Sequence, residues 1–200
     1  AMTHPAPSTA VRNFRAFHES GCFVLPNPWD VGSAIWLRHA GFKALATTSA
    51  GFAFSRGLPD AVGALTLAAV LEPTREIVAA TPLPVNADFQ SGYSIDAEGV
   101  AANVTRCLGT GVAGLSIEDA SGDPGAPLFD RARAIERVRA ARGAIDAAGI
   151  PAVLTARCEA WLVGDPDPLR TALDRLVAFA EAGADCLYAP GVREPDAIAA

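Results

Sequence analysis

Short apolar runs alternate with longer segments of helical period along the chain, and this alternation constrains the fold more than any other feature. The predicted strands are unbroken apolar runs at 22–25, 44–48, 84–87, 113–117, 152–155 and 186–188. Apolar residues at helical spacing predict helices over roughly 9–19, 31–40, 64–80, 97–110, 131–148 and 168–182. Unbroken apolar strands are typical of a parallel sheet buried on both faces. The order therefore predicts an α/β fold of successive βα units.

Glycines close the predicted helices, in the segments 40–42, 109–111, 148–150 and 182–184. A glycine just past a helix can adopt the left-handed conformation that turns the chain back into the next strand. No strand is followed by GxGxxG or GxxxxGK(S/T), which argues against a nucleotide site. We therefore expect a (β/α)8 TIM barrel rather than an open doubly wound sheet.

The chain is too short for a complete barrel of this kind. The 200 residues accommodate six βα units, whereas a TIM barrel has eight in about 250 residues. We expect residues 9–200 to form a barrel domain that is incomplete at its C-terminal end. The alternative is an open six-stranded barrel, which would expose unpaired strand edges. Residues 1–8 are predicted to be a disordered segment that begins with the Ala-Met remnant of a tag.

Composition and charge exclude several classes of partner. No apolar stretch reaches the roughly 20 residues of a membrane span, and the first residues do not resemble an export signal. The net charge is −6 and the arginines are scattered, which argues against nucleic acid. The 4 cysteines have no CxxC spacing and are interpreted as reduced thiols. We expect a cytoplasmic protein, and small anions remain possible partners because local groups can hold them.

Polar residues follow nearly every predicted strand. In a barrel, the carboxyl ends of the strands and the loops after them form the mouth that holds the active site. The residues at these positions are Asn27, Asp30, Thr48, Ser49, Gly51, Asp88, Gln90, Glu118, Asp119, Arg157 and Glu159. We therefore expect the functional site at this end of the sheet.

Asp88 and Glu118 end neighbouring strands, so their carboxylates are expected at the same rim. This arrangement suits Mg²⁺, which takes one or two carboxylates and leaves its other positions to water and an anionic substrate. A single carboxylate at a strand end is also often only a helix N-cap, and that alternative stays open for each acid alone. The pair predicts a magnesium site.

Arg157 ends the next predicted strand and needs an acceptor, because a guanidinium stays charged when it is buried. The alternatives are a salt bridge to Asp88, Glu118 or Glu159, and a bond to a carboxylate or phosphonyl oxygen of a substrate. The segment 49–52 is predicted to be a tight turn whose backbone N–H groups could hold an oxyanion. Both features are compatible with an anionic substrate.

Six motifs follow one another in order along the chain: NPWD at 27–30, TTSAGF at 47–52, GLPD at 57–60, NADFQSGY at 86–93, SIED at 116–119 and TARCE at 155–159. Together they resemble the isocitrate lyase/phosphoenolpyruvate mutase superfamily, from about residue 10 to the end of the sequence. The resemblance implies a TIM barrel in a homo-oligomer, either a dimer or a tetramer. It also implies Mg²⁺, with Mn²⁺ as an alternative, and an α-keto or 2-hydroxy carboxylate substrate.

The resemblance also implies roles for individual residues. Asp88 matches the direct metal ligand, whereas Glu118 and Asp60 match acids that hold metal-bound water. Gln90 stands where the family usually has a second acid, and it would be a neutral metal ligand here. Arg157 matches the arginine that faces the substrate, so Arg157, Asp60 and Glu118 are the catalytic candidates. The segment whose amides bind the substrate carboxylate corresponds to Thr48, Ser49, Ala50, Gly51 and Phe52.

The segment 120–130 departs from the family pattern. Isocitrate lyases carry a Lys-Arg-Cys-Gly-His loop there and mutases a lysine and an asparagine, but ASGDPGAPLFD contains none of Cys, His, Lys or Asn. The resemblance therefore implies a Mg²⁺-dependent lyase or decarboxylase that acts on an oxaloacetate-like or 2-hydroxy dicarboxylate through an enolate. The alternatives are a carboxyphosphonate or phosphonopyruvate mutase or hydrolase, and a catalytically silent barrel that binds metabolites.

Overall fold

The computed structural model describes residues 8–200. Its strands are β1 (Leu45–Ala46), β2 (Val85–Asp88), β3 (Gly114–Glu118), β4 (Val153–Arg157) and β5 (Cys186–Tyr188). Its helices are α1 (Thr9–Phe17), α2 (Val31–His39), α3 (Ser49–Phe54), α4 (Leu67–Ala80), α5 (Ala97–Leu108), α6 (Arg131–Ala148), α7 (Pro168–Glu181) and α8 (Pro195–Ala199). All six predicted helices are present, and their ends lie within a few residues of the predicted ones.

The strands form one sheet in chain order, and every neighbouring pair is parallel. Helices connect the strands, so the described part of the chain is a half-barrel of the TIM-barrel type. The prediction of six strands is wrong, because the segment 22–25 is not a strand. Its neighbour Pro26 accepts one backbone hydrogen bond from Ala46, at 3.0 Å, and Phe23 and Leu25 instead pack in a small core beside Phe14.

Two further expectations concern the start of the chain and membrane-spanning segments. The predicted disordered segment falls on residues 1–7, which lie outside the described residues, and on Ser8. Ser8 is described and caps α1 by accepting a hydrogen bond from the N–H of Val11 at 3.3 Å. Within residues 8–200, no helix is long and apolar enough to cross a membrane.

Side chains of opposite character alternate along β2, β3 and β4. One face is apolar and packs against the helices, with Val85, Ala87, Leu115, Ile117, Leu154 and Ala156. The other face points into the half-barrel and carries Asn86, Asp88, Ser116, Glu118, Thr155 and Arg157. Our expectation of strands that are apolar on both faces is therefore wrong, since the inner face is polar. The period of two places every polar side chain on the inner face.

The helix ends follow local chemical signals. Side chains that accept a backbone N–H bond in the first turn begin seven of the described helices, at Ser8, Asp30, Thr48, Thr66, Asp96, Asp130 and Asp167. After α6, Gly149 has φ 66°, and after α7, Gly183 has φ 104°. These left-handed residues confirm the predicted role of the closing glycines, which return the chain to the next strand at the same end of the sheet.

Candidate active site

The register of the sheet brings the polar strand ends together. Glu118 pairs with Arg157 across β3 and β4, and Arg157 pairs with Tyr188 across β4 and β5. Asp88 lies opposite Ser116, which is two residues before Glu118 on β3. Asp88, Glu118 and Arg157 therefore share one rim, which is the placement expected from the sequence. We call these three residues and Glu159 the rim cluster.

The guanidinium of Arg157 contacts three carboxylates at once. Its Nη1 is 3.0 Å from Asp88 Oδ1, and its Nη2 is 3.3 Å from Glu118 Oε2. Its Nε is 2.9 Å from Glu159 Oε1. The side chains of the rim cluster are between 6% and 17% exposed. Since a guanidinium carries five N–H groups, these three contacts leave two N–H groups for another acceptor.

The second oxygen of Asp88 is bound by Ser49. The backbone N–H and the hydroxyl of Ser49 donate to Asp88 Oδ2 at 2.8 Å and 2.7 Å. The backbone N–H of Asp88 donates to Thr47 Oγ1 at 2.9 Å. These bonds join the end of β2 to the start of α3 and fix the orientation of the Asp88 carboxylate.

The predicted tight turn is the first turn of helix α3. Thr48 is its N-cap, because its Oγ1 accepts from the N–H of Gly51 and its carbonyl from the N–H of Phe52, both at 3.0 Å. The N–H of Ala50 has no acceptor in the described part of the chain. The Phe52 side chain is fully buried in the core. The predicted contact of this segment with a substrate concerns its backbone amides, so it stays a prediction for Phe52.

Burial acts on the pKa values of Glu118, Glu159 and Arg157. Burial raises the pKa of Glu118 to about 8, although Arg157 acts in the opposite direction. Burial also raises the pKa of Glu159. Burial lowers the pKa of Arg157, but the three carboxylates outweigh this effect and raise it above its usual value. At neutral pH, Glu118 therefore holds a proton unless a further cation is present.

A cavity of about 400 Å³ extends from the rim into the half-barrel. Asp88, Arg157, Thr48 and the predicted Asn27 line it, and so do residues that sequence reasoning missed: His18, Leu25, Asn86, Ser116, Thr155, Cys186 and Tyr188. Within residues 8–200, Asn86 Oδ1 is buried without a hydrogen-bond partner. The alternating polar residues of β2, β3 and β4 were the signal that could have identified this lining.

Three residues expected near the metal are not among those that line this cavity. Glu118 lies beside it, in contact with Arg157. Asp60 is exposed in the loop between α3 and α4. Gln90 is buried just after β2, with φ 43°, and lines a separate cavity of about 310 Å³ beside Tyr93 and Phe129. The structure thus brings Asp88 and Glu118 together but leaves Asp60 and Gln90 apart from them.

The rim cluster has the oxygen donors that a hard divalent cation needs. Three acids face one guanidinium, so their negative charge exceeds the positive charge next to them when all are ionised. Mg²⁺ takes one or two carboxylates and completes its shell with water and substrate oxygens. In the part of the chain that the structure describes, there is no group of three or more His, Cys, Asp or Glu side chains that could hold a metal by itself. Asp88 and Glu118 are the residues that could supply the one or two carboxylates that Mg²⁺ takes from a protein.

Comparison with protein families gives a match to nearly the whole chain. Residues 14–200 match the family model described as phosphoenolpyruvate phosphomutase. The 2-methylisocitrate lyase of Salmonella typhimurium is 35% identical over 182 residues, which cover 84% of this chain and 59% of the lyase. This chain therefore spans less than two thirds of the length of that lyase.

Two solved structures share the fold. A protein from Burkholderia cenocepacia described as a lyase/mutase has a TM-score of 0.92 and 45% identity, over 96% of this chain and 68% of that chain. The 2,3-dimethylmalate lyase, described as a PEP mutase/isocitrate lyase superfamily member, has a TM-score of 0.85 and 30% identity, over 98% of this chain and 67% of that chain. Both likenesses include the sheet that carries the rim cluster.

Proposed function

Because the chain belongs to the phosphoenolpyruvate mutase/isocitrate lyase superfamily, we propose that it is a Mg²⁺-dependent carbon–carbon lyase or decarboxylase. Its proposed substrate is a small α-keto or 2-hydroxy dicarboxylate. The relatives named above are lyases or mutases, which supports an enzymatic role. The observation that carries the proposal is the rim cluster, where Arg157 joins Asp88 and Glu118 at the mouth of a cavity.

The rim offers hydrogen-bond donors for a substrate carboxylate. Arg157 has two unused N–H groups, the number that a bidentate bond to a carboxylate requires. The free N–H of Ala50 lies in the first turn of α3, next to Thr48 on the cavity wall. These donors support a substrate with a carboxylate at this end.

The acids of the rim support a metal-assisted reaction. Mg²⁺ held by Asp88 and Glu118 would supply Lewis-acid activation of the substrate carbonyl. Ser49 already binds Asp88 Oδ2 through two hydrogen bonds, so this oxygen stays oriented while Oδ1 exchanges its contact with Arg157. Glu118 would release its proton when the added positive charge lowers its pKa. Because Asp60 and Gln90 do not line the cavity of Asp88, the proposed metal site rests on Asp88 and Glu118.

The proposed reaction breaks the substrate bond that lies β to the carbonyl. In an α-keto diacid, the carboxylate β to the carbonyl leaves as CO₂, and the electron pair of the broken bond moves into the carbonyl to give an enolate that a proton later converts to the keto acid. In a 2-hydroxy diacid, the hydroxyl loses its proton to a base and becomes the carbonyl of one product, while the electron pair of the broken bond moves into a carboxylate of the other product and gives its enolate form. Arg157 and the N–H of Ala50 would stabilise the negative charge that develops, because both donors are in place before the bond breaks. The segment 120–130 folds back on itself through the antiparallel bridge between Ala120 and Leu128. The N–H of Phe129 donates to the carbonyl of Asp119 at 2.9 Å, which joins the segment to the end of β3, and the segment would cover the substrate.

The second candidate function is chemistry at a P–C bond, on phosphonopyruvate or carboxyphosphonate. The match to the phosphoenolpyruvate phosphomutase family model favours it, whereas the absence of Lys and Asn from 120–130 counts against it. A catalytically silent barrel is the third candidate, motivated by Gln90 and the same segment.

A turnover screen separates these candidates. Purified protein with Mg²⁺ is incubated with a panel of 2-oxo and 2-hydroxy diacids, and with phosphonopyruvate followed by phosphorus NMR. Release of CO₂ or of a second carbonyl product from a diacid supports the proposal. Consumption of phosphonopyruvate alone supports the second candidate. Binding of oxalate by calorimetry without turnover of any compound would leave the silent barrel as the function.

The substitution Asp88→Ala should abolish stabilisation by Mg²⁺. A ligand that binds only the folded state raises the melting temperature, so wild-type protein should melt higher in MgCl₂ than in EDTA and the variant should not. Asp174→Ala is the matched control, because it removes an exposed acid that pairs with Arg131 on the outer helices. Melting that does not respond to Mg²⁺ in wild type, or that responds equally in Asp88→Ala, would contradict the metal assignment.

A further inference from the structure

A second ion pair lies behind the rim cluster and does not line its cavity. Asp119 follows Glu118 at the end of β3, and its side chain is 1% exposed. Arg175 is on α7, and its side chain is 12% exposed. Arg175 Nη1 donates to Asp119 Oδ2 at 3.1 Å. The pair joins a helix of the outer layer to the active end of the sheet.

The other oxygen of Asp119 connects this pair to Arg157. Asp119 Oδ1 accepts the backbone N–H of Glu159 at 2.8 Å, and Glu159 Oε1 accepts the Nε–H of Arg157 at 2.9 Å. The backbone N–H of Asp119 also donates to the carbonyl of Arg157 at 3.3 Å. A continuous series of hydrogen bonds therefore runs from Arg175 to the guanidinium of Arg157.

The energetic cost of burying this pair argues for a role beyond stability. Removing two charges from water costs several kcal/mol, and well-packed apolar residues often stabilise a protein equally well. Burial raises the pKa of Asp119, although the N–H of Glu159 and the charge of Arg175 act in the opposite direction. Asp119 Oδ1 binds the loop after β4, and Asp119 Oδ2 binds α7. A buried network of hydrogen bonds in which the polar groups have partners fixes the positions of the residues that it joins.

We propose that Asp119 and Arg175 are positioning residues for Arg157. They fix the backbone at Glu159, so that the Glu159 carboxylate holds Nε of Arg157 and the unused N–H groups of the guanidinium keep one orientation toward the cavity. A rigid supporting layer of this kind is what a binding group needs to act at full strength. The inference rests on the proposed function for the identity of the bound carboxylate, but the orientation of Arg157 is measurable without turnover.

The test compares variants of this pair with variants of a similar pair elsewhere. Asp119→Asn keeps an acceptor for Glu159 and loses the charge that faces Arg175, whereas Arg175→Met removes the partner. The matched control is Asp185→Asn. Asp185 likewise accepts a backbone N–H, that of Leu154 at 2.9 Å, and pairs with Arg142 at 3.1 Å, but it lies at the opposite end of the sheet.

Hydrogen exchange of the Arg157 Nε–H, followed by NMR, is the first readout. We expect exchange about tenfold faster in Asp119→Asn and Arg175→Met, because the bond to Glu159 opens more often, and wild-type exchange in Asp185→Asn. Arg175→Lys keeps the charge and should restore slower exchange. Wild-type exchange in Asp119→Asn, or equally fast exchange in Asp185→Asn, would overturn the proposal. Asp119→Asn is nearly isosteric, so it decides the matter even where Arg175→Met does not fold.

Kinetics on the substrate found in the screen supply the second readout. Loss of orientation should raise KM and lower kcat/KM roughly ten- to a hundredfold in Asp119→Asn. A purely structural role would lower the melting temperature and leave KM unchanged, as expected for Asp185→Asn, and that result would count against positioning. Absence of turnover in the wild type would refute the proposed function alone, since the exchange of Arg157 Nε–H still decides the positioning role.

Discussion

At the scale of single residues, the properties of the site depend on charges that are brought into contact by the fold. Arg157 binds three carboxylates, and each contact uses a different nitrogen. Lysine could not replace it, since an ammonium group lacks the planar arrangement of five donors. Removing Arg157 would leave partly buried carboxylates without their partner, which is costly for both folding and binding.

Arg157→Ala should raise KM and lower kcat together. The substitution would remove the two charge-assisted hydrogen bonds that we propose to the substrate carboxylate, each worth about 1.5–3 kcal/mol. We expect kcat/KM to fall about a hundredfold or more. Steady-state kinetics on the substrate from the screen measure this effect. Kinetic constants equal to those of the wild type would remove Arg157 from the catalytic machinery.

Glu118→Gln should change how stability depends on pH. The folded-state pKa of Glu118 is raised to about 8 from its ordinary value of 4.5, so between these values the folded protein holds a proton that the unfolded chain has lost. Stability therefore falls as pH rises, by about 1.4 kcal/mol per pH unit from this group.

Urea unfolding in EDTA at about pH 5, 6 and 7 measures the difference between wild type and Glu118→Gln. The variant should gain stability relative to the wild type at each step, because glutamine stays neutral. Asp174→Asn serves as the control for the loss of an exposed acid on the outer helices. A constant difference for Glu118→Gln would show that Glu118 is ionised throughout.

At the scale of secondary-structure elements, local sequence patterns predicted the helices and most of their ends. The helix α6 begins and ends at the predicted residues, because Asp130 caps its start and Gly149 its end. Two predictions of elements failed for non-local reasons. The segment 22–25 is apolar enough for a strand, but β1 beside it has only 2 residues to pair with. The short helix α3 depends on a serine that Asp88 binds from a distant strand.

Gly114→Ala should destabilise the contact between α1 and the sheet. A Cβ at this position would lie 2.7 Å from Phe14 Cε1 and 2.9 Å from the carbonyl oxygen of Val153, so backbone would have to move. We expect a loss of about 1–3 kcal/mol in the free energy of unfolding. Gly143→Ala on α6 is the control, since no atom lies within 4 Å of the added Cβ.

Gly143→Ala should raise stability by about 0.5–1 kcal/mol through the helix preference of alanine. Urea denaturation of the two variants and the wild type gives both values. Equal stability of Gly114→Ala and the wild type would mean that α1 does not pack against β3 as closely as described.

At the scale of the whole molecule, the described sheet is a half-barrel with edges at β1 and β5. Large apolar side chains are exposed on several helices and at one edge, among them Trp36, Phe54, Val177 and Tyr188. Scattered exposed apolar residues are common on monomers, but several bulky ones together are more typical of a surface that another chain covers. The exposed side chains support the expected dimer or tetramer, which stays a prediction.

Light scattering after size exclusion tests this prediction. We expect a mass of two or four chains that is maintained on dilution to the low micromolar range. The mass of one chain at every concentration would contradict it.

The sequence by itself determined the parallel α/β architecture, the helix ends and the location of polar residues at the carboxyl ends of the strands. These features depend on periodicity, capping residues and glycines, which act over a few neighbouring positions. Only the tertiary structure decided that Arg157 meets Asp88, 69 positions away, that Asp60 and Gln90 lie apart from them, and that Arg175 supports the site from α7. The reason is physical: burial and the approach of distant charges set contacts and pKa values, and neither is encoded by local spacing.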